Sequence, residues 1–144
     1  PEQAPLLLDG RQDTRWESET VQRPDQWVAL DLGQAQRVAG LRLALGAEVL
    51  AYPRALRVEA SLNGSSWQTA MEPIEPVPPL IAYARRPRPL TLVVLFPELR
   101  TRWVRLTQLG QAPARPWGMA EIELLPPFAA SPAPCGPGPG WIGD

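Results

Sequence analysis

The sequence predicts an all-β domain of sandwich or barrel type, and three observations carry that prediction. Short runs rich in Val, Leu and Trp alternate apolar and polar residues with a period of two, separated by Gly, Pro and Asn signals. Helical periodicity is hard to find, and 19 prolines among 144 residues would interrupt most candidate helices. Between two of the runs, Asn63-Gly64 is a two-residue hairpin signal, because both central positions of a type I′ turn need positive φ.

Taken in order, residues 1–8 carry Leu6-Leu7-Leu8, either a short strand or a plug beneath the turn that follows. Asp9-Gly10-Arg11-Gln12-Asp13-Thr14 is a compact acidic turn. Asp9, Asp13 and Thr14 offer oxygen donors there, and Gly10 gives the backbone freedom a tight loop around a cation needs. The oxygen chemistry suits calcium, which takes about six to eight oxygens, more than one turn supplies; the plain alternative is a capped turn with solvated charges.

After Trp16 a polar loop leads to a strand, Trp27 to Leu32, which sets Trp27, Ala29 and Asp31 on one face and Val28, Leu30 and Leu32 on the other. Val38 to Leu45 alternates again, with Leu41, Leu43 and Leu45 together and Arg42 opposite. Gly46 to Pro53 reads as a loop, Leu56 to Leu62 as a strand, and Trp67 as the start of the return strand. Residues 72–89 hold prolines at intervals and read as a stiffened long loop rather than a proline-rich docking motif. Leu90 to Phe96 and Trp103 to Leu109 are two further strands joined by Pro97 to Arg102. Ala112 to Trp117 reads as a loop and Gly118 to Leu125 as the closing strand. The domain therefore spans residues 1–125, and residues 126–144, too poor in apolar content to fold alone, form a Pro/Gly-rich tail or linker.

Bulk numbers narrow the chemistry. The net charge of -1 gives no global drive toward nucleic acid or an anionic membrane. All 14 basic residues are arginine and histidine is absent, which removes the commonest general base and zinc ligand. A single cysteine, Cys135, permits no intrachain disulfide. No apolar run approaches the roughly 20 residues that span a membrane. Glu121 and Glu123 would share a strand face, but two carboxylates alone are weak evidence for glycoside hydrolysis, and no serine nucleophile scheme is possible without histidine. The chain reads as a non-enzyme, and its start at Pro1 reads as a piece of a longer protein whose first strand is short or lost.

Four motifs in order carry a resemblance. Asp9-Gly10-x-x-x-Thr14-x-Trp16 followed by Trp27-x-x-x-Asp31-Leu32-Gly33, then Ser61-Leu62-Asn63-Gly64-Ser65-Ser66-Trp67, Arg102-Trp103-Val104-Arg105-Leu106 and Ala120-Glu121-Ile122-Glu123-Leu124 cover roughly residues 6–125. Together they resemble the coagulation-factor type C (discoidin-like) domains and family 32 carbohydrate-binding modules of the galactose-binding-like superfamily. The resemblance implies a discoidin-like jelly-roll β-sandwich of about eight mainly antiparallel strands. It implies a structural calcium ion held by Asp9, Asp13, Thr14, the carbonyl of Ala120 and Glu121. It also implies a buried Asp31–Arg105 pair and structural roles for Trp16, Trp27, Trp67 and Trp103.

By the same resemblance, ligand loops at one end of the sandwich offer Glu48, Tyr52 and Arg54 in one segment and Arg85, Arg86 and Arg88 in another. Trp117, in its own loop, is a stacking face for a sugar or else a core residue. Arginine forks suit carboxylate or phosphate, so the carbohydrate partner includes acidic glycans; alternatively these arginines only solubilise a loop. The absence of histidine leaves a galactose-type ligand set incomplete. The implied function is a non-catalytic carbohydrate-binding accessory module of a larger bacterial enzyme or surface protein, extracytoplasmic, with no membrane insertion. A second reading is a structural or protein-interaction domain contacting other domains of its parent, for example a membrane glycosyltransferase. A third is lipid headgroup binding through Leu50, Leu80 and Ile81.

Overall fold

The computed structural model describes residues 4–11, 13–46, 48–75 and 90–127. Seven strands build two antiparallel sheets among them: β1 (Trp16–Gln22), β2 (Gln26–Gly46), β3 (Leu56–Ser61), β4 (Gln68–Ile74), β5 (Leu90–Gln108), β6 (Ala112–Met119) and β7 (Glu121–Leu125). One sheet pairs β1 with β6, and the other runs β4-β3-β5-β2-β7. The all-β jelly roll that the sequence predicts is the observed architecture.

Alternation explains the core. Val28 and Leu30 of β2 lie opposite Leu106 and Val104 of β5, which in turn lie opposite Val58 and Ala60 of β3; all are buried. Leu41, Leu43 and Leu45 continue the inner face of β2, and Trp16, Trp117 and Met119 close it from the β1–β6 sheet. Each fully buried side chain of this size contributes roughly 1.5 to 3 kcal/mol. Leu7, in the 3₁₀ turn Ala4–Leu8, is fully buried in the same core, so of its two sequence readings the plug is the one observed.

Two expected strand breaks are bulges instead. Between the pairs Asp31↔Trp103 and Gln36↔Thr101, β2 carries three more residues than β5, and Gly33 turns there at φ 81 with its N–H donating to Asp31 Oδ1 at 2.9 Å. Between Val38↔Leu99 and Gly40↔Leu95 the surplus lies on β5, where Pro97 owes no ladder hydrogen bond. Bulges absorb a turn-forming Gly and a Pro without ending the strands, so β2 and β5 each run as one bent strand.

Two strands went unrecognised in the sequence. β1 (WESETVQ) reads as a polar loop because only its ends, Trp16 and Gln22, point inward, and β6 (APARPWGM) carries two prolines. Both sit in a two-stranded sheet, where an edge strand tolerates proline. The β3–β4 hairpin is present, but its turn is longer than two residues: Gly64 has φ 75, while the Asn63 side chain accepts the N–H of Ser65 and of Ser66, each at 2.8 Å.

The expected Asp31–Arg105 pair does not form. Ala29, not Asp31, lies opposite Arg105, and Glu59 lies opposite it on the other side. Arg105 therefore grips Glu59 through two hydrogen bonds of 2.8 and 3.0 Å and stacks on the Trp67 ring at 4.3 Å. Asp31 pairs instead with Arg102, at 2.9 and 3.0 Å, on the exposed surface.

Candidate functional site

The acidic turn meets the closing strand. Gly10, at φ 75, directs its N–H to Glu121 Oε2 at 3.1 Å, across 111 residues of sequence. Asp9 accepts the Thr14 hydroxyl at 2.6 Å and the Arg11 N–H at 2.8 Å. Those bonds, the Thr14 hydroxyl first, hold the Asp9 carboxyl below the usual carboxylate range. Glu121 moves the other way, pushed up by burial and then by direct interaction with Asp9. Thr14 bonded to Asp9, with Glu121 held to the same turn through Gly10, gives oxygen donors of the kind that fit a hard cation. Asp13 is turned elsewhere: its carboxylate takes a two-pronged contact from Arg11 at 2.9 and 2.6 Å, leaving its main-chain carbonyl as the oxygen it can offer. Ala120 is buried and anchors the closing strand by donating its N–H to Ala44 O at 2.8 Å. No group of three His, Cys, Asp or Glu side chains converges among the described residues.

The expected sugar loop is arranged differently. Trp117 lies in β6 and is 0% exposed, with its ring edge-on to Trp16 at 4.9 Å and 82°, so it offers no face to a ligand. Tyr52 is 8% exposed and its ring is covered by the Arg54 guanidinium at 3.7 Å. Arg54 is further committed to the carbonyls of Tyr52 and Leu50, at 2.9 and 3.0 Å. Glu48 is exposed, and its carbonyl receives the Ala51 N–H at 3.0 Å. Arg85, Arg86 and Arg88, with Leu80 and Ile81, lie outside the described residues. Tyr52, Arg54 and Trp117 are therefore packing residues, because the prolines and arginines that suggested a loop tip sit instead on a strand and over a buried ring.

A different surface has the form of a ligand site. Trp16 to Thr20 of β1 and Arg23 to Trp27 of the β1–β2 corner line an open cleft of about 840 Å³. Its one large exposed aromatic wall is Trp27, 59% exposed and directed outward opposite Thr107 of β5. Trp27 shares its face with Ala29 and Asp31, away from Val28 and Leu30, and that alternation was the signal for exposure.

The corner is held rigidly by amides. Gln26 accepts the Arg23 N–H at 3.1 Å and donates to Thr20 Oγ1 at 3.0 Å and Val21 O at 3.1 Å. Asp25 turns the chain at φ 69, a left-handed conformation Asp tolerates better than most residues. Beneath it Gln108, fully buried, donates to Arg23 O at 3.3 Å and Gly110 O at 2.9 Å. Gln22, also buried, donates to Tyr52 O at 2.9 Å and accepts the Arg54 N–H at 3.2 Å. Gln22 and Gln108 are structural residues that sequence reading passed over, since a buried amide leaves no periodic trace.

Comparison with known proteins accords with the fold. The family model described as F5/8 type C domain matches residues 2–122. A Clostridium perfringens module, CpGH89CBM32-5, solved in complex with GalNAc-β-1,3-galactose, is similar at TM-score 0.66 and 15% identity, covering 83% of this chain and 81% of that one. Chitosan-binding module 1 from a chitosanase/glucanase of Paenibacillus sp. IK-5 is similar at TM-score 0.65 and 21% identity, covering 84% and 83%. The family 32 module of C. perfringens NanJ, solved with galactose, is similar at TM-score 0.63 and 14% identity, covering 84% and 82%. No curated protein matches the chain.

Proposed function

The chain belongs to the F5/8 type C domain family, and from that premise we propose that it is a non-catalytic carbohydrate-binding module whose ligand lies in the cleft beside Trp27. The exposed Trp27 ring on the wall of a polar cleft carries the reading, because an aromatic face packs on the apolar face of a sugar while polar neighbours meet its hydroxyls. Rigid support from Gln26 and Gln108 favours binding, since little ordering entropy is lost on contact. The module acts by tethering: weak sugar contacts raise the effective concentration of a larger extracytoplasmic partner at its substrate.

Calcium belongs to this reading as scaffold. Asp9, Thr14 and Glu121, with main-chain oxygens of the Asp13 and Ala120 positions, would hold it, joining the start of the domain to its last strand. Bound there, the ion supplies charge neutralisation for Asp9 and Glu121.

The test is a glycan-panel screen of the chain and of Trp27→Ala in calcium-containing buffer. Specific binding that falls about tenfold or more in the variant, with the circular dichroism spectrum unchanged, supports the reading; a drop of that size corresponds to about 1.4 kcal/mol. Unchanged binding in the variant removes the cleft as its site.

One observation favours the interaction-domain reading as well. Val93 and Leu95, 55% and 60% exposed, project from β5, and the Leu95 and Leu125 side chains close over Gly40, where an added Cβ would meet Leu95 Cδ2 at 2.9 Å. A neighbouring domain of the parent protein packed on this flank would bury them, and it lies apart from the cleft, so both readings can hold together.

A further inference from the structure

We propose that Asn63-Gly64, in the turn of the β3–β4 hairpin, is a latent self-deamidation site, and that the Ser61 hydroxyl is the group that keeps it from reacting. Asn63 is the one asparagine of the chain, and the residue after it is glycine.

The reaction needs only the chain, solvent base and water. The Gly64 nitrogen gives up its proton to the base and bonds to the Asn63 side-chain carbonyl carbon, Cγ. The Cγ–Nδ2 bond breaks, Nδ2 takes a proton back and leaves as ammonia, and a succinimide ring remains. Water opens the ring at either carbonyl, giving aspartate or an isoaspartate whose main chain is a methylene longer. Glycine favours the first step because no Cβ shields its nitrogen. Asn63 is exposed, so base and water reach it.

The hairpin holds both reacting groups in other bonds. Gly64 donates its N–H to Ser61 Oγ at 2.9 Å, and the Asn63 N–H reaches the same oxygen at 3.3 Å. Ser61 Oγ donates in turn to Asn63 Oδ1 at 3.1 Å, where the Ser65 and Ser66 N–H groups also converge. Ring closure requires the Gly64 nitrogen to be stripped of its proton and Cγ to swing to within about 3 to 3.5 Å along its lone pair. The first event breaks the bond to Ser61, and the second pulls Oδ1 from its donors. Ser61 has little room to follow, since it is 5% exposed and its own N–H donates to Thr101 Oγ1 at 3.1 Å. Gly64 has as little: at φ 75 it lies so near the Trp103 ring that an added Cβ would meet Cε2 at 3.1 Å.

The two products differ in what they do to the turn. Aspartate at this position offers a carboxylate oxygen to the same Ser65 and Ser66 N–H groups, a charge-assisted bond that keeps the hairpin. Isoaspartate lengthens the main chain where Gly64 already crowds Trp103, and opens it.

The experiment is a time course of the whole 144-residue chain in mildly alkaline buffer, folded and in urea, with conversion at residue 63 read by peptide mass mapping. The folded parent converts about tenfold or more slowly than the unfolded one, because hydrogen bonds of about 1 kcal/mol each must break first. Ser61→Ala, shown to be folded by its circular dichroism spectrum, converts severalfold faster than the folded parent.

Equal rates for folded and unfolded parent overturn the protection, and an unfolded parent that does not convert overturns the site itself. A folded Ser61→Ala that converts no faster than the parent overturns the role of the hydroxyl. Should that variant not fold, hydrogen exchange of the Gly64 amide in the parent decides: exchange slowed about tenfold or more against an unprotected glycine amide supports the lock, and exchange at the unprotected rate overturns it.

Discussion

β6 turns its tryptophan inward and the β1–β2 corner turns one outward, although both rings are carried on strands that pair antiparallel with a neighbour. Trp117 fills the space between the sheets, and β1 approaches so closely there that a Cβ on Gly118 would meet the Trp16 carbonyl at 3.0 Å. Trp27 projects from the outer face of the five-stranded sheet and walls the cleft. The difference teaches that what an aromatic residue does here depends on how many layers of chain cover its face.

The sharpest way to break that comparison is to truncate both rings. Trp117→Ala opens a cavity in the core and costs about 3 to 5 kcal/mol in a denaturant melt. Trp27→Ala stays within roughly 0.5 kcal/mol of the parent, as surface substitutions do, while weakening glycan binding. Equal losses of stability would mean that Trp27 is a core residue.

A polar pair repeats the comparison with a smaller effect. Glu59, 8% exposed, is held below the usual carboxylate range chiefly by Arg105, whereas Asp31 is also lowered, chiefly by Arg102, but at the surface. Glu59→Gln leaves Arg105 half-buried without its counter-charge and costs about 3 kcal/mol, while Asp31→Asn, whose pair with Arg102 is at the surface, costs much less. The sign with pH follows from the lowered Glu59 value. Its contribution is complete above the unfolded carboxyl's pKa of about 4.3 and is lost as pH falls through the lower folded value. An acid titration therefore shows a gap between parent and Glu59→Gln that closes below that range; a gap that persists at the lowest pH would assign the loss to packing.

Much of the fold was legible because stretches of β2 and β5 on either side of Gly33 and Pro97, such as Val28–Leu30, Leu41–Leu45 and Val104–Leu106, put apolar residues inward at every second position. β1 and β6 were illegible for a physical reason. An edge pair that buries only its ends and one Trp-Gly-Met run carries too few inward apolar residues to show a period. The acidic turn was legible as a turn, since Asp9 and Thr14 do bond one another and Gly10 donates its N–H to Glu121. The cleft was not, because its walls come from a strand that read as a loop, and because Trp27 matched a position that is structural in the resemblance. Which carboxylate Arg105 would choose was equally hidden, as it depends on a bulge-set register that no local pattern encodes.

The last contrast lies within β7, between two glutamates on one face. Glu121, opposite Ala44, is pushed up by burial and by Asp9, while Glu123, opposite Arg42, pairs with it at the surface at 2.6 Å. A raised folded value means that, without a cation, Glu121 works against the fold once it ionises: the penalty grows as pH rises past about 4.3 and is complete above the folded pKa. Glu121→Gln in chelator at neutral pH is then as stable as the parent or slightly more so. Calcium reverses the order, because a cation between Asp9 and Glu121 makes both charges favourable and stabilises the parent by about 2 kcal/mol at roughly thirty times its Kd. Glu121→Gln loses that response, and Glu123→Gln keeps it. Thermal melts of the three proteins in calcium and in chelator make the measurement, and a parent whose midpoint ignores calcium would leave the Asp9 turn as a hydrogen-bonded staple with no ion in it.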